Sequence, residues 1–131
     1  MSDTDNAAPS AASKVLVIDD SNTIRRSAEI FLKQGGFTVM LAEDGFDALS
    51  KLGDFKPDLV FCDILMPRLD GYQTCAIIKR NPDFTHVPVI MLSSKDGLFD
   101  KARGRMVGSQ DYLTKPFTKD QLLQAVRQYS A

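Results

Sequence analysis

The chain has 131 residues, 44% of them hydrophobic and 25% charged, which suits one globular domain with a core of its own. Its net charge of −1 provides no broad basic surface, so nucleic acid is not expected as a partner. No apolar run approaches the roughly 18 residues that a membrane span needs, so no membrane insertion is expected either.

In chain order, Met1 to Ser13 comes first, an Ala-, Ser- and Asp-rich stretch without the basic and apolar regions of a signal peptide. It is expected to be a disordered tail of a cytoplasmic protein, with one domain over 14–131. Lys14-Val15-Leu16-Val17-Ile18 reads as a buried strand that runs straight into Asp19-Asp20. Ser21 or Asn22 caps a helix whose apolar stripe is Ile24, Ala28, Phe31 and Leu32, stopped by Gly35-Gly36. Phe37, Val39 and Leu41 alternate as a short strand, and Asp44-Gly45 precedes a helix carrying Phe46, Leu49 and Leu52. Asp58 to Cys62 is a third strand, an apolar run ending on the acid Asp63. A helix from about Tyr72 to Arg80 ends before Pro82, because the residue preceding a proline disfavours helix.

Val87 to Leu92 is the fourth strand, with Pro88 near its start, where a strand tolerates proline. Asp96 to Val107 is a weak helix, since Gly97 and Gly104 each cost about 1 kcal/mol relative to alanine. Gln110 to Leu113 is a brief fifth strand, and Thr118 caps a last helix with Leu122, Val126 and Tyr129 on one face. Strand–helix alternation with short loops means a parallel sheet with helices on both faces, an α/β fold in a single domain. Cys62 and Cys75 lack paired spacing and read as reduced core thiols, and the lone His86 reads as a solvated loop residue.

Polar residues of a matching kind follow four of the strands: Asp19-Asp20, Asp63, Ser93-Ser94, and Thr114-Lys115-Pro116. Open α/β sheets place their ligand sites at the carboxyl ends of the strands. Acids crowded there repel one another by roughly 4 kcal/mol per close pair at an intermediate dielectric, so a cation is expected among them. Mg²⁺ prefers oxygen ligands and keeps several waters, so two carboxylates and a backbone carbonyl suffice. A hydroxyl and an ammonium opposite the acids suit phosphoryl transfer, with Asp63 as the nucleophile that becomes an acyl phosphate.

Asp19-Asp20, Asp63 with Met66-Pro67 and Asp70-Gly71, Ser93, and Lys115-Pro116-Phe117 resemble the receiver domain of two-component response regulators, over about residues 14–129. The resemblance implies a flavodoxin-like, doubly wound, five-stranded parallel sheet of order 2-1-3-4-5, and phosphorylation of Asp63 by a histidine kinase. It implies Mg²⁺ held by Asp20, Asp63 and the Leu65 carbonyl, with Asp19 helping through water. Ser93 and Lys115 would contact the phosphoryl group, Lys115-Pro116 would be a cis peptide, and Tyr112 matches the aromatic switch position that works with Ser93. Read from its residues alone, Tyr112 is equally a half-buried core tyrosine.

A narrower resemblance, to the single-domain PilG-like twitching-motility regulators of type IV pili, rests on four stretches. They are Thr23 to Arg26, Asp44 to Leu49, Pro67 to Cys75 and Ser93 to Ala102. It implies a chemotaxis-type histidine kinase as one partner. The other is an unidentified output protein on the face made by the fourth helix, fifth strand and fifth helix. Lys95, Lys101, Arg103 and Arg105 read as a solvated helix face or as a partner-binding patch. Leu65, two residues after Asp63, can donate its carbonyl to a metal but cannot orient a hydrolytic water. Other functions compatible with the pattern are a phosphorelay or phosphate-sink receiver and a small Mg²⁺-dependent phosphatase. Against the phosphatase, no second acid stands two residues after Asp63. A flavodoxin-like electron carrier is disfavoured by the acids after the first strand, which would repel its cofactor phosphate.

Overall fold

Five short strands form the centre of the computed structural model, which describes residues 13–94 and 100–129. They are β1 (Lys14–Ile18), β2 (Thr38–Ala42), β3 (Leu59–Asp63), β4 (Val89–Ser94) and β5 (Asp111–Lys115). All pair in parallel, in the order β2-β1-β3-β4-β5 that the resemblance implies. Between them run α1 (Asn22–Gln34), α2 (Gly45–Phe55), α3 (Gly71–Arg80), α4 (Lys101–Val107) and α5 (Lys119–Tyr129). This is the doubly wound, flavodoxin-like arrangement of a single domain.

Alternation along the central strands divides the core in two. Val15, Val17, Leu59, Phe61, Ile90 and Leu92 point to one face and pack under α1 and α5 with Ala28, Leu32, Leu122 and Val126. Their neighbours Leu16, Ile18, Val60, Cys62, Val89 and Met91 point to the other face, against Ala48 and Leu52 of α2 and Cys75 and Ile78 of α3. Strands buried on both faces explain why these stretches read as continuous apolar runs instead of alternating ones. Both cysteines are free and buried. Burial pushes the Cys62 thiol well up and the Cys75 thiol to about 11, so both are protonated thiols.

Local chemistry sets the helix ends. Ser21, Asp44 and Asp100 accept the N–H groups of Ile24, Asp47 and Arg103, and Asp70 and Gln73 close a reciprocal capping box. Thr118 and Gln121 form a second reciprocal pair at the start of α5. Gly108 ends α4 at φ +91°, where a side chain would be strained.

Several boundaries shift from the sequence reading. The third strand is displaced by one residue and includes Asp63, because Asp58 is tied instead to Lys14, whose N–H it accepts and whose carbonyl it binds. The fourth strand is shifted by two residues, leaving Val87 and Pro88 outside it, and the fifth ends two residues later than expected, because their ladder continues to the Ser94–Lys115 rung. Phe46, one of the apolar residues read on the second helix, is 51% exposed. It sits in the first turn of α2, where the Arg68 guanidinium covers its ring at 5.1 Å. His86 is exposed, as expected of a loop residue. The tail over 1–12, Lys95, and the start of the expected fourth helix with Gly97 lie outside the described residues.

Candidate functional site

Parallel strands bring their carboxyl ends to one edge, and the polar residues that follow them meet there. Asp19 follows β1 and is fully buried. One of its carboxylate oxygens accepts the Ser21 N–H at 2.9 Å, the other accepts the Lys115 ammonium at 3.0 Å. Its backbone carbonyl takes a 2.6 Å hydrogen bond from Arg25. With both oxygens engaged, Asp19 holds its neighbours in place more than it faces the opening. Asp20 beside it is exposed.

Asp63 closes β3 and is only 3% exposed. Its Oδ1 accepts the Lys115 ammonium at 2.9 Å, and among the described residues its Oδ2 accepts no hydrogen bond. Lys115 thus bridges two acids, 96 and 52 residues away in sequence. Ser93 at the end of β4 is 4% exposed, with its hydroxyl donating to the Ser94 carbonyl at 3.3 Å. Asp20, Asp63, Leu65, Ser93 and Lys115 all line one cavity of about 140 Å³.

The electrostatics follow from this crowding. Burial is the main force pushing the Asp63 carboxyl up, to about 6; the Lys115 hydrogen bond opposes it, and the Asp19 and Asp20 carboxyls add to it. Burial works against the Lys115 ammonium, but its bonds to Asp63 and Asp19 outweigh that cost and raise its pKa. Carboxylate oxygens of Asp19, Asp20 and Asp63 lie within 4.8 Å of one another, an oxygen-only set that could hold a metal ion.

Backbone geometry supports the cavity floor. The Gly71 N–H donates to the Ile64 carbonyl at 2.8 Å, and a β-carbon at Gly71 would overlap the Asp63 carbonyl oxygen. Glycine is therefore what lets the start of α3 approach the end of β3 so closely. Leu65 projects outward from this loop, 70% exposed. The Lys115–Pro116 bond is cis.

The structure brings together Asp19, Asp20, Asp63, Leu65, Ser93 and Lys115; Tyr112 stands apart. It pairs with Met91, two rungs before Ser93 and Thr114, and packs half-buried against the core on the α3 side. The Lys101 ammonium lies 5.7 Å from its ring centroid. Sequence reading missed Arg25, which secures the Asp19 carbonyl. It also missed the ion pair of 2.8 Å between Arg68 and Asp44, which joins the loop after β3 to the cap of α2. Neither has a local signature, since an arginine's target is decided by which loop the fold places beside it.

Residues 15–127 match the family model described as the response regulator receiver domain. Over 114 residues the chain is 66% identical to protein PilG of Pseudomonas aeruginosa, covering 87% of this chain and 84% of that one. It is 36% identical to the response regulator MprA of Mycobacterium sp. (strain KMS) over 87% of its own length, and spans about half of that protein (49%). Among solved structures, chemotaxis protein CheY4 of Vibrio cholerae superposes with a TM-score of 0.86 at 30% identity, over 91% of this chain and 99% of that one. A response regulator structure from Chloroflexus aurantiacus gives a TM-score of 0.84 at 31% identity, over 90% and 97% of the two chains.

Proposed function

The chain belongs to the response regulator receiver domain family, and from that premise we propose that it is a phosphoacceptor that takes a phosphoryl group on Asp63 from a histidine kinase. The observation that carries the reading is the Lys115 ammonium held between Asp19 and Asp63, at 3.0 and 2.9 Å. It orients the Asp63 carboxylate and leaves Oδ2 without a protein donor among the described residues. That oxygen attacks phosphorus as the phosphorus–nitrogen bond of a phosphohistidine breaks, and the imidazole leaves with the electron pair. Lys115 and the Ser93 hydroxyl then stand where they can donate to the phosphoryl oxygens.

Asp20, Asp63 and the Leu65 carbonyl would hold Mg²⁺, with Asp19 acting through water. The close set of carboxylate oxygens fits an ion that favours oxygen ligands. When bound, the ion supplies charge neutralisation for the acids and for the incoming phosphoryl group. Ser93 and Tyr112 serve as the switch pair in this proposal.

The 66% identity to PilG supports type IV pilus motility as the process, with a chemotaxis-type kinase upstream and an output protein on the α4–β5–α5 face. A cytoplasmic site of action goes with that reading, and among the described residues no helix is long and apolar enough to cross a membrane.

Incubation with acetyl phosphate and Mg²⁺ tests the acceptor directly. The chain is expected to gain the mass of one phosphate, labile to hydroxylamine because an acyl phosphate is a mixed anhydride. Asp63→Asn is expected to abolish the gain, and retained labelling in that variant would overturn the assignment.

A further inference from the structure

A second surface stands apart from the Asp63 cavity and shares only α4 with the α4–β5–α5 face. Between α3 and α4 runs a groove of about 340 Å³ whose floor is apolar, made by Leu69 and Val107. Ile77 stands on its rim, 41% exposed. Arg80 and Arg103 also line it, one from each helix.

The charged residues that line the groove, Arg80 and Arg103, are both basic. The chain as a whole has 16 Lys and Arg against 17 Asp and Glu. Yet α3 and α4 contain no acidic residue, and of their basic residues Arg80 and Arg103 line the groove, while Lys101 and Arg105 line a separate cavity beside Tyr112. Lys79 is turned inward, donating to the Val87 carbonyl at 2.7 Å. Arg103 lies over the Tyr72 ring at 4.4 Å and reaches the Asp70 carboxylate only loosely, at 3.7 Å. Arg80 is exposed and forms no ion pair among the described residues.

We propose that this α3–α4 groove docks an acidic, amphipathic helical segment of a partner protein. A helix laid between two helices presents its side-chain ridge to the groove they form. Apolar residues on that ridge would cover Ile77 and the floor, and flanking carboxylates would meet Arg80 and Arg103 with charge-assisted hydrogen bonds. Stacked nucleic-acid bases find no platform here, because Tyr72 is only 5% exposed and already covered by Arg103. The inference does not depend on phosphorylation of Asp63, and its test uses the unphosphorylated chain.

The probe is a synthetic helical peptide with leucines at i, i+3, i+4 and i+7 spacing and glutamates elsewhere. It is compared with a scrambled peptide of the same composition, a lysine-for-glutamate counterpart, and phosphatidylglycerol vesicles. The Leu/Glu peptide is expected to bind and to shift the amide signals of Ala76, Ile77, Arg80, Arg103 and Val107. Arg80→Glu and Ile77→Ser should each weaken it roughly tenfold, as expected for losing a charged or an apolar anchor. Arg26→Glu, on the exposed side of α1, should leave it unchanged. The proposal is overturned if the scrambled or lysine peptide binds as tightly, if only vesicles bind, if the shifts fall elsewhere, if Arg80→Glu and Ile77→Ser bind like the wild type, or if no peptide binds.

Discussion

At Asp63, burial raises the carboxyl to about 6, and the Lys115 ammonium opposes this only in part. The unfolded chain ionises this group near 3.8, so between the two values the folded state holds more protons than the unfolded one. The stability that Asp63 contributes is therefore complete below 3.8 and is lost as pH rises through about 6. The loss is roughly 3 kcal/mol in the absence of metal. Urea unfolding across that window should show wild-type stability falling relative to Asp63→Asn; parallel curves would refute the shift. Leu65 makes a kinetic prediction that rests on the proposed phosphorylation. Its side chain is 70% exposed at the cavity wall and offers no donor or acceptor to a water in line with the Asp63–phosphorus bond. Leu65→Asn should speed loss of the phosphoryl group about tenfold, roughly 1.4 kcal/mol of barrier. An unchanged decay, followed by mass, would show that another residue controls the lifetime.

Among the elements, α4 depends most on its ends. Its seven residues are too few to be helical on intrinsic propensity alone. Asp100 fixes its start twice, accepting the Arg103 N–H at 3.0 Å and donating its own N–H to the Tyr72 hydroxyl at 2.9 Å. Gly108 ends it in a left-handed conformation. Asp100→Ala should cost about 1 kcal/mol of local stability. Amide exchange should quicken across residues 101–107 while β3 stays protected, since local opening and global unfolding are separate events. Equal acceleration in both would mean that α4 opens only with the whole domain. A helix this easily adjusted suits the wall that α4 contributes both to the proposed output face and to the α3–α4 groove.

At the scale of the whole molecule, the two half-cores share one sheet, so metal binding at its edge and packing inside it report on the same unfolding equilibrium. If Mg²⁺ binds the folded site, it should stabilise the protein by about 2.7 kcal/mol at a hundredfold excess over its dissociation constant. Asp63→Asn should lose most of that increment. Ile78 is fully buried under α3, in the half-core away from α1 and α5. Ile78→Ala should lower stability by about 2–5 kcal/mol and still keep the full Mg²⁺ increment, because distant sites add. Calorimetry with and without Mg²⁺ checks both, and an equal increment in wild type and Asp63→Asn would contradict the site.

By itself the sequence determined what depends on neighbouring residues. Apolar runs such as Leu59-Val60-Phe61-Cys62 mark strands buried on both faces, caps such as Ser21 and Thr118 mark helix starts, and an acid after such a run marks a strand tip. These are local properties of period and polarity, legible without coordinates. Strand ends were less legible, because where β4 and β5 finish, at Ser94 and Lys115, is settled by the partner strand. Only the tertiary structure decided that Lys115 bridges Asp19 and Asp63, that Arg25 holds the Asp19 carbonyl, and that Phe46 turns outward beneath Arg68. It alone set Tyr112 two rungs away from Ser93, and it alone joined Arg80 and Arg103 across one groove. Each of these contacts joins segments that are neighbours only after the strands have taken their order in the sheet, and that order is a property of the whole fold, which no stretch of sequence carries alone.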